Sequence, residues 1–311
     1  MKPTLSMLAR RLADSILVIL VIVFVTFAFV RLLGDPVSEA MYAGGATQAE
    51  VEAVLHKLGY DRPLLVQFQE YLWNALHGDF GLSSQFGSSA LEIVMSRVPA
   101  TLYLAAVSLL ITLALFVPLG FIAGRRPFGW FDQALSAVTG FALSVPVFVF
   151  GAFLILLFAV QWRLLPVSGN QSPLGVLLPA VTLALHAAAR LARVLRASMV
   201  ETQTMDYVLL GRAKGLSKFD VDLKYVFRNS LLPVIVILGL QIANLLGGAV
   251  IVEVIFGWPG IGLLTQQALL TSDFNLIQCI VVLVAITVLV VNFLTDILST
   301  FIDPRIKLAG K

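Results

Sequence analysis

Long apolar runs separated by short polar stretches set the pattern of this chain. Runs that approach the ~20 residues an α-helix needs to cross a hydrocarbon layer place spans at about Leu12–Leu33, Ala100–Gly124, Gln133–Trp162, Gly175–Arg190, Leu231–Ile255 and Ile277–Ile302. The fourth is the least apolar. His186 interrupts it and Arg190, Arg193 and Arg196 crowd its end, as in a helix leaving the membrane. The connection from Gly34 to Pro99 is too polar to cross, but Ala49, Val51, Val54, Leu55 and Leu58 recur at helical spacing after Thr47. Leu65, Phe68, Tyr71, Leu72 and Leu76 do the same after Pro63, so this stretch predicts a small helical cap. The fold class is an all-α integral membrane protein with six transmembrane helices.

Composition agrees. With 59% hydrophobic and 13% charged residues over 311 positions, the chain has far more apolar surface than a water-soluble domain, which runs near 25% charged, would carry. A net charge of +3 matters only through its distribution. In the six-span arrangement every one of the 21 Lys and Arg residues falls on one side except Arg31, Lys57, Arg62, Arg97 and Arg163. That asymmetry puts both termini in the cytoplasm. Lys2, Arg10 and Arg11 precede the first span and no small-residue cleavage pattern follows it, so a retained helix is expected. The single cysteine, Cys279, reads as a small hydrophobe within a span.

The most distinctive polar segment runs from Asp206 to Pro233. It reads as two small helices hinged at Gly215, with Ser217 and Asp220 spaced as a capping box that opens the second. Arg212, Lys214, Lys218, Lys224 and Arg228 keep it on the basic side, available to a partner. Its three aspartates, Asp206, Asp220 and Asp222, and its tether between spans argue against nucleic acid. No G-x-x-x-x-G-K-[ST] phosphate loop occurs, and His56, His77 and His186 are isolated, so no nucleotide, cofactor, metal or catalytic site is expected. Polar groups within spans mark a possible pathway or helix seam: Gln241 and Asn244, three apart on one face beside Gly239, Gly247 and Gly248, then Glu253, Asn292 and Asp296.

Nine segments in order resemble the permease subunit of bacterial ATP-binding-cassette importers of the dipeptide/oligopeptide/nickel family, over essentially the whole chain. They are Leu58-Gly-Tyr-Asp61-Arg-Pro63-Leu64, Gly78-Asp-Phe-Gly81-Leu-Ser83, Pro99-Ala-Thr101-Leu, Ser144-Val-Pro146-Val-Phe148 and Leu195-Arg-Ala-Ser198-Met199, followed by Arg212-Ala-Lys-Gly215-Leu, Arg228-Asn-Ser-Leu-Leu-Pro233, Glu253 with Phe256-Gly-Trp258-Pro-Gly260-Ile-Gly262, and Asp303-Pro-Arg305-Ile. The resemblance implies a type I importer permease fold. Residues 1–33 would form the N-terminal tail and first span, 34–99 a periplasmic helical insertion, 100–305 the permease core with a cytoplasmic coupling loop at 201–233, and 306–311 the tail.

It also implies that Tyr207, Leu210, Gly211, Arg212, Ala213, Lys214, Gly215, Leu216 and Ser217 form the EAA-type coupling helix that docks into an ATPase. The hallmark glycine falls on Gly215. The Glu-Ala-Ala positions fall on Leu209, Leu210 and Gly211, a departure that prevents transfer of the glutamate's role. Gln241, Asn244, Glu253 and Asn292 are candidates for the translocation path. Implied partners are a second homologous permease, two ATPase subunits that use ATP and magnesium, an extracytoplasmic substrate-binding protein and membrane lipid, in the bacterial inner membrane. Di- or oligopeptides are the expected cargo, with nickel or a metal chelate, glutathione or opines as alternatives. An ion-gradient-driven secondary transporter is the rival of another class. It predicts ionisable residues at the midplane and repeated halves, neither of which stands out here.

Overall fold

The computed structural model describes residues 5–33, 45–57, 62–166, 169 and 172–302. Lys2, the stretch from Leu58 to Asp61 and the chain from Asp303 lie outside the described residues, as do the side chains of Arg10, Arg11 and Asp296 and the surroundings of Gly247 and Gly248. The described residues are helical, apart from loops and an isolated β-bridge between Leu82 and Ser89. Among the described residues, four helices are long and apolar enough to cross a membrane: Ala90–Arg125, Leu174–Thr202, Lys218–Leu245 and Phe274–Thr295. The expected third span, Gln133–Trp162, is instead a pair of helices, Trp130–Ser144 and Val147–Gln161, bent by 99°. Pro146 is the cause: it forces Val145 into extended backbone (φ −86°, ψ 125°) and begins the second helix. Counting that pair once gives five, and the first helix, Leu5–Leu33, carries the apolar stretch Ile16–Arg31.

The chain forms two compact units. The smaller contains α1 (Leu5–Leu33), α2 (Gln48–Lys57), α3 (Leu64–Leu76), the chain up to Pro99 and Gly260–Ile286. Both expected cap helices are present. At the start of α2, Glu50 accepts from the Thr47 amide and hydroxyl, both at 2.8 Å, and the amide contact holds its carboxyl below the usual range. Helix α3 lays Phe68 and Tyr71 against Phe24 and Phe27 of α1, with ring centroids 5.2–5.5 Å apart. The Gly78–Ser83 segment has a structural reason. Gly78 and Gly81 take φ of +81° and +83°, and the turn delivers the Ser83 hydroxyl to buried Asp273. Asp273 also accepts from the Gln85 amide at 3.2 Å and caps the last helix through Leu276 N at 3.1 Å. A short helix, Ile261–Leu270, stands between the last two long ones, where no element was assigned from sequence.

The larger unit contains Ala100–Pro259 and the chain from Thr287. Helix α4 (Ala90–Arg125) packs against α7 (Leu177–Thr202) at very short range: a Cβ on Gly120 would lie 2.9 Å from Leu195 Cδ2, and one on Gly124 2.8 Å from Met199 Sδ. Around this contact Phe116, Leu191, Val208, Val221, Val226 and Val234 complete a buried cluster. The second half of the Asp206–Pro233 segment corrects the two-small-helix reading. From Lys218 the chain is helical without a break through π-helical turns at Asp222–Phe227 and on to Gly248, with Pro233 inside. This helix ends at Gly248, and a new one, Val250–Ile255, follows the break at Ala249 (ψ 23°), so the expected span Leu231–Ile255 is not continuous.

Candidate functional site

The elbow is an exposed apolar surface on a buried root. Its first helix, α8 (Asp206–Ala213), carries an acidic residue in its first turn and Arg212 in its last, both favourable to the helix dipole. Gly215 ends it with φ +76°, and its amide reaches the Arg212 carbonyl at 3.0 Å. Ser217 then starts the next helix: its hydroxyl oxygen accepts from Asp220 N at 3.1 Å and its O–H donates to Asp220 Oδ2 at 2.6 Å. Lys224, one turn on, pairs with Asp220 at 2.8 Å. Val208 and Val221 face inward with no exposed surface, and Gly211 lies against Val221 and Tyr225. Outward stand Leu210 at 60% exposure and Tyr207, Leu209 and Leu216, with Lys214 beside them. The nine residues expected in the coupling helix therefore form one continuous turn-and-helix feature.

The root is fixed electrostatically as well as by packing. Arg125, the last residue of α4, donates to Asp222 at 2.8 Å, and its guanidinium lies 5.2 Å from the Phe219 ring and 5.6 Å from that of Phe121. Asp222 is only 1% exposed and is answered by a guanidinium that is itself partly in solvent, a pair that ties the elbow to α4. Ser230 Oγ lies 3.1 Å from Thr202 Oγ1 and donates to the Val226 carbonyl, joining the elbow helix to the end of α7. From sequence Asp222 counts only as a charge unfavourable to nucleic acid, and it is not paired with Arg125. An acidic residue in a basic loop signals a pair only when its partner, 97 positions away, is known.

The polar residues expected within the spans differ in exposure. Gln241 is half-buried, Asn244 exposed and Asn292 half-buried. Gly239 does provide close approach: a Cβ there would run into the Thr295 side chain of the last helix. Glu253 is 1% exposed and accepts from the Thr101 hydroxyl at 2.9 Å, while Trp258 Nε1 donates to the Ala100 carbonyl at 2.9 Å. Two sequence segments 152 residues apart are thus one interior contact. Among the described residues, no group of three His, Cys, Asp or Glu side chains is placed to hold a metal.

Residues 116–308 match the family described as the binding-protein-dependent transport system inner membrane component, and residues 4–105 match the N-terminal component of the same systems. The chain belongs to that family. It is 36% identical to a probable peptide ABC transporter permease of Sinorhizobium fredii over 96% of its length and 98% of that protein's. It is 32% identical to the dipeptide transport system permease DppB of Escherichia coli, covering 97% of this chain and 99% of that one. Among solved structures, the inward-facing MetNI methionine ABC transporter superposes on 68% of this chain and 97% of its own, with TM-score 0.59 and 19% identity. An amino acid ABC transporter matches 68% and 94%, with TM-score 0.54 and 18% identity. At these identities the structures establish the fold alone, that of an ABC importer permease; the family match makes the chain an inner-membrane component of a binding-protein-dependent transport system.

Proposed function

We propose that this chain is one of two homologous permeases forming the pathway of an ATP-driven importer of di- or oligopeptides. The names of its relatives support a peptide cargo over nickel, glutathione or opines. ATP and magnesium are used by two partner ATPase subunits. The elbow is the lever: Tyr207, Leu209, Leu210 and Leu216 offer an apolar grip, Arg212 and Lys214 a basic rim, and the Arg125–Asp222 pair passes movement into the spans. The cap helices of 34–99 face the binding protein outside, and both termini lie inside. Gln241, Asn244 and Asn292 line the path, and Glu253 positions its wall through Thr101.

The observation that carries this reading is the exposed apolar crest on a root held by the Arg125–Asp222 pair and a buried cluster. Replacing Leu210, whose side chain is mostly in solvent, by Asp leaves the fold intact and puts a charge into the grip. In the reconstituted complex, ATP hydrolysis stimulated by loaded binding protein is expected to fall about tenfold or more, the cost of desolvating an unpaired carboxylate in an interface. Full stimulation in an intact complex would overturn the docking role.

A further inference from the structure

We infer that a cleft between the bent helix pair and α7 holds an anionic phospholipid. Its body is a cavity of about 260 Å³ walled by Leu115 and Leu119 of α4, Val138 and Phe141 of the first bent helix, Phe150 of the second and Ala188 of α7. The lining contains a single polar side chain, Thr139, whose hydroxyl is already bonded to the Leu135 carbonyl at 2.7 Å. A peptide would find no partner for its backbone groups on such a wall. Leu135 and Thr139 also line a second cavity of about 190 Å³, bordered by Asp132, Ser136, Arg193 and Arg196, so the two share one stretch of the first bent helix.

The second cavity is the basic end. Asp132 accepts from Arg196 Nε at 2.8 Å and Nη2 at 2.6 Å, and from the Phe128 amide at 2.8 Å, so it orients the guanidinium and is itself satisfied. A guanidinium has five N–H donors, and only two of these are used on Asp132. Arg193 is exposed and makes no ion pair among the described residues. The same end carries Phe128 at 77% exposure, under the Arg196 guanidinium, and Trp130 at 81%. Exposed aromatics of this kind sit at the level of lipid headgroups. An apolar body, a cationic mouth and interfacial aromatics together match one acyl chain and one phosphate, and basic pockets between membrane helices take such headgroups. A free anion would leave the cavity empty; a neutral apolar molecule would leave Arg193 unanswered.

The test is native mass spectrometry of the full-chain complex, purified in mild detergent from nanodiscs of phosphatidylglycerol or of phosphatidylcholine. Phosphatidylglycerol is expected to remain bound to the unaltered complex and phosphatidylcholine to be lost. Arg193→Gln should lower retention about fivefold, the factor one surface charge supplies. Arg193→Lys should keep it, and Ala189→Phe, which fills the cavity from the α7 wall that Ala189 shares with Ala188, should abolish it. Equal retention of both lipids, or unchanged phosphatidylglycerol in Arg193→Gln and Ala189→Phe, would overturn the inference. So would a Val138→Cys crosslink to the second permease in complexes free of phosphatidylglycerol, because the cleft would then be a protein interface.

Discussion

At the level of single residues, Gly215 and Ser217 act through geometry. A Cβ at Gly215 meets nothing within 4 Å, so the penalty for a side chain there comes from backbone strain and not from a clash. At φ +76° a β-branched residue costs about 1–2 kcal/mol, and relieving that strain re-aims the helix beyond it. Gly215→Val is therefore expected to lower transport and binding-protein-stimulated ATP hydrolysis together, while insertion of the chain and substrate affinity of the binding protein are unchanged. Ser217→Ala loses the bond from Asp220 N, worth about 1 kcal/mol, and should give a milder form of the same defect. Stimulated hydrolysis in the reconstituted complex measures both, and wild-type activity in Gly215→Val would separate the elbow from transmission.

At the level of elements, the elbow is rooted on the α4–α7 contact. Gly120 and Gly124, four apart on α4, let Leu195 and Met199 of α7 come within reach of the backbone. The Gly124 carbonyl also accepts from the Gln203 side chain, just beyond the end of α7. A methyl group at Gly124 would press on Met199 at 2.8 Å, and overpacking of that kind costs about 1–3 kcal/mol. Gly124→Ala should lower the unfolding temperature in detergent and weaken coupling. Gly140→Ala is the control: nothing lies within 4 Å, and losing a helical glycine stabilises by up to about 1 kcal/mol. Equal thermal shifts in the two variants would show that the close approach is not tight.

At the level of the whole molecule, topology and division of labour are the testable features. The distribution of basic residues predicts Arg126 and the C-terminus inside and Gln48 outside. A cysteine at Gln48 should react with an impermeant thiol reagent in intact cells, and one at Arg126 only after the membrane is opened. Protection at Gln48 would refute the arrangement. The isolated chain should neither hydrolyse ATP nor crosslink to it, and hydrolysis should appear when the ATPase subunits are restored. Specific labelling of this chain by an ATP analogue would contradict that division.

Hydrophobic runs and cap chemistry are local, and they made most of the helices legible in the sequence. Thr47 and Pro63 marked the cap helices, and Gly215 with Ser217 marked the elbow, because backbone sterics and nearby hydrogen bonds act over three or four residues. The bend at Pro146 was present as a residue but unread, since proline can kink, break or merely sit in an apolar run, as Pro233 does inside a continuous helix. What lay beyond the sequence are pairings between distant positions. Ser83 meets Asp273, Thr101 meets Glu253, and Arg125 meets Asp222. Burying a polar group is stable only once its partner arrives, and chain packing decides which partner that is. The sequence by itself determined a membrane-embedded helical chain with a basic elbow. Only the tertiary structure decided that Glu253 is held inside the fold, that the elbow is rooted on α4, and that Arg193 and Arg196 border a cavity sharing Leu135 and Thr139 with an apolar one.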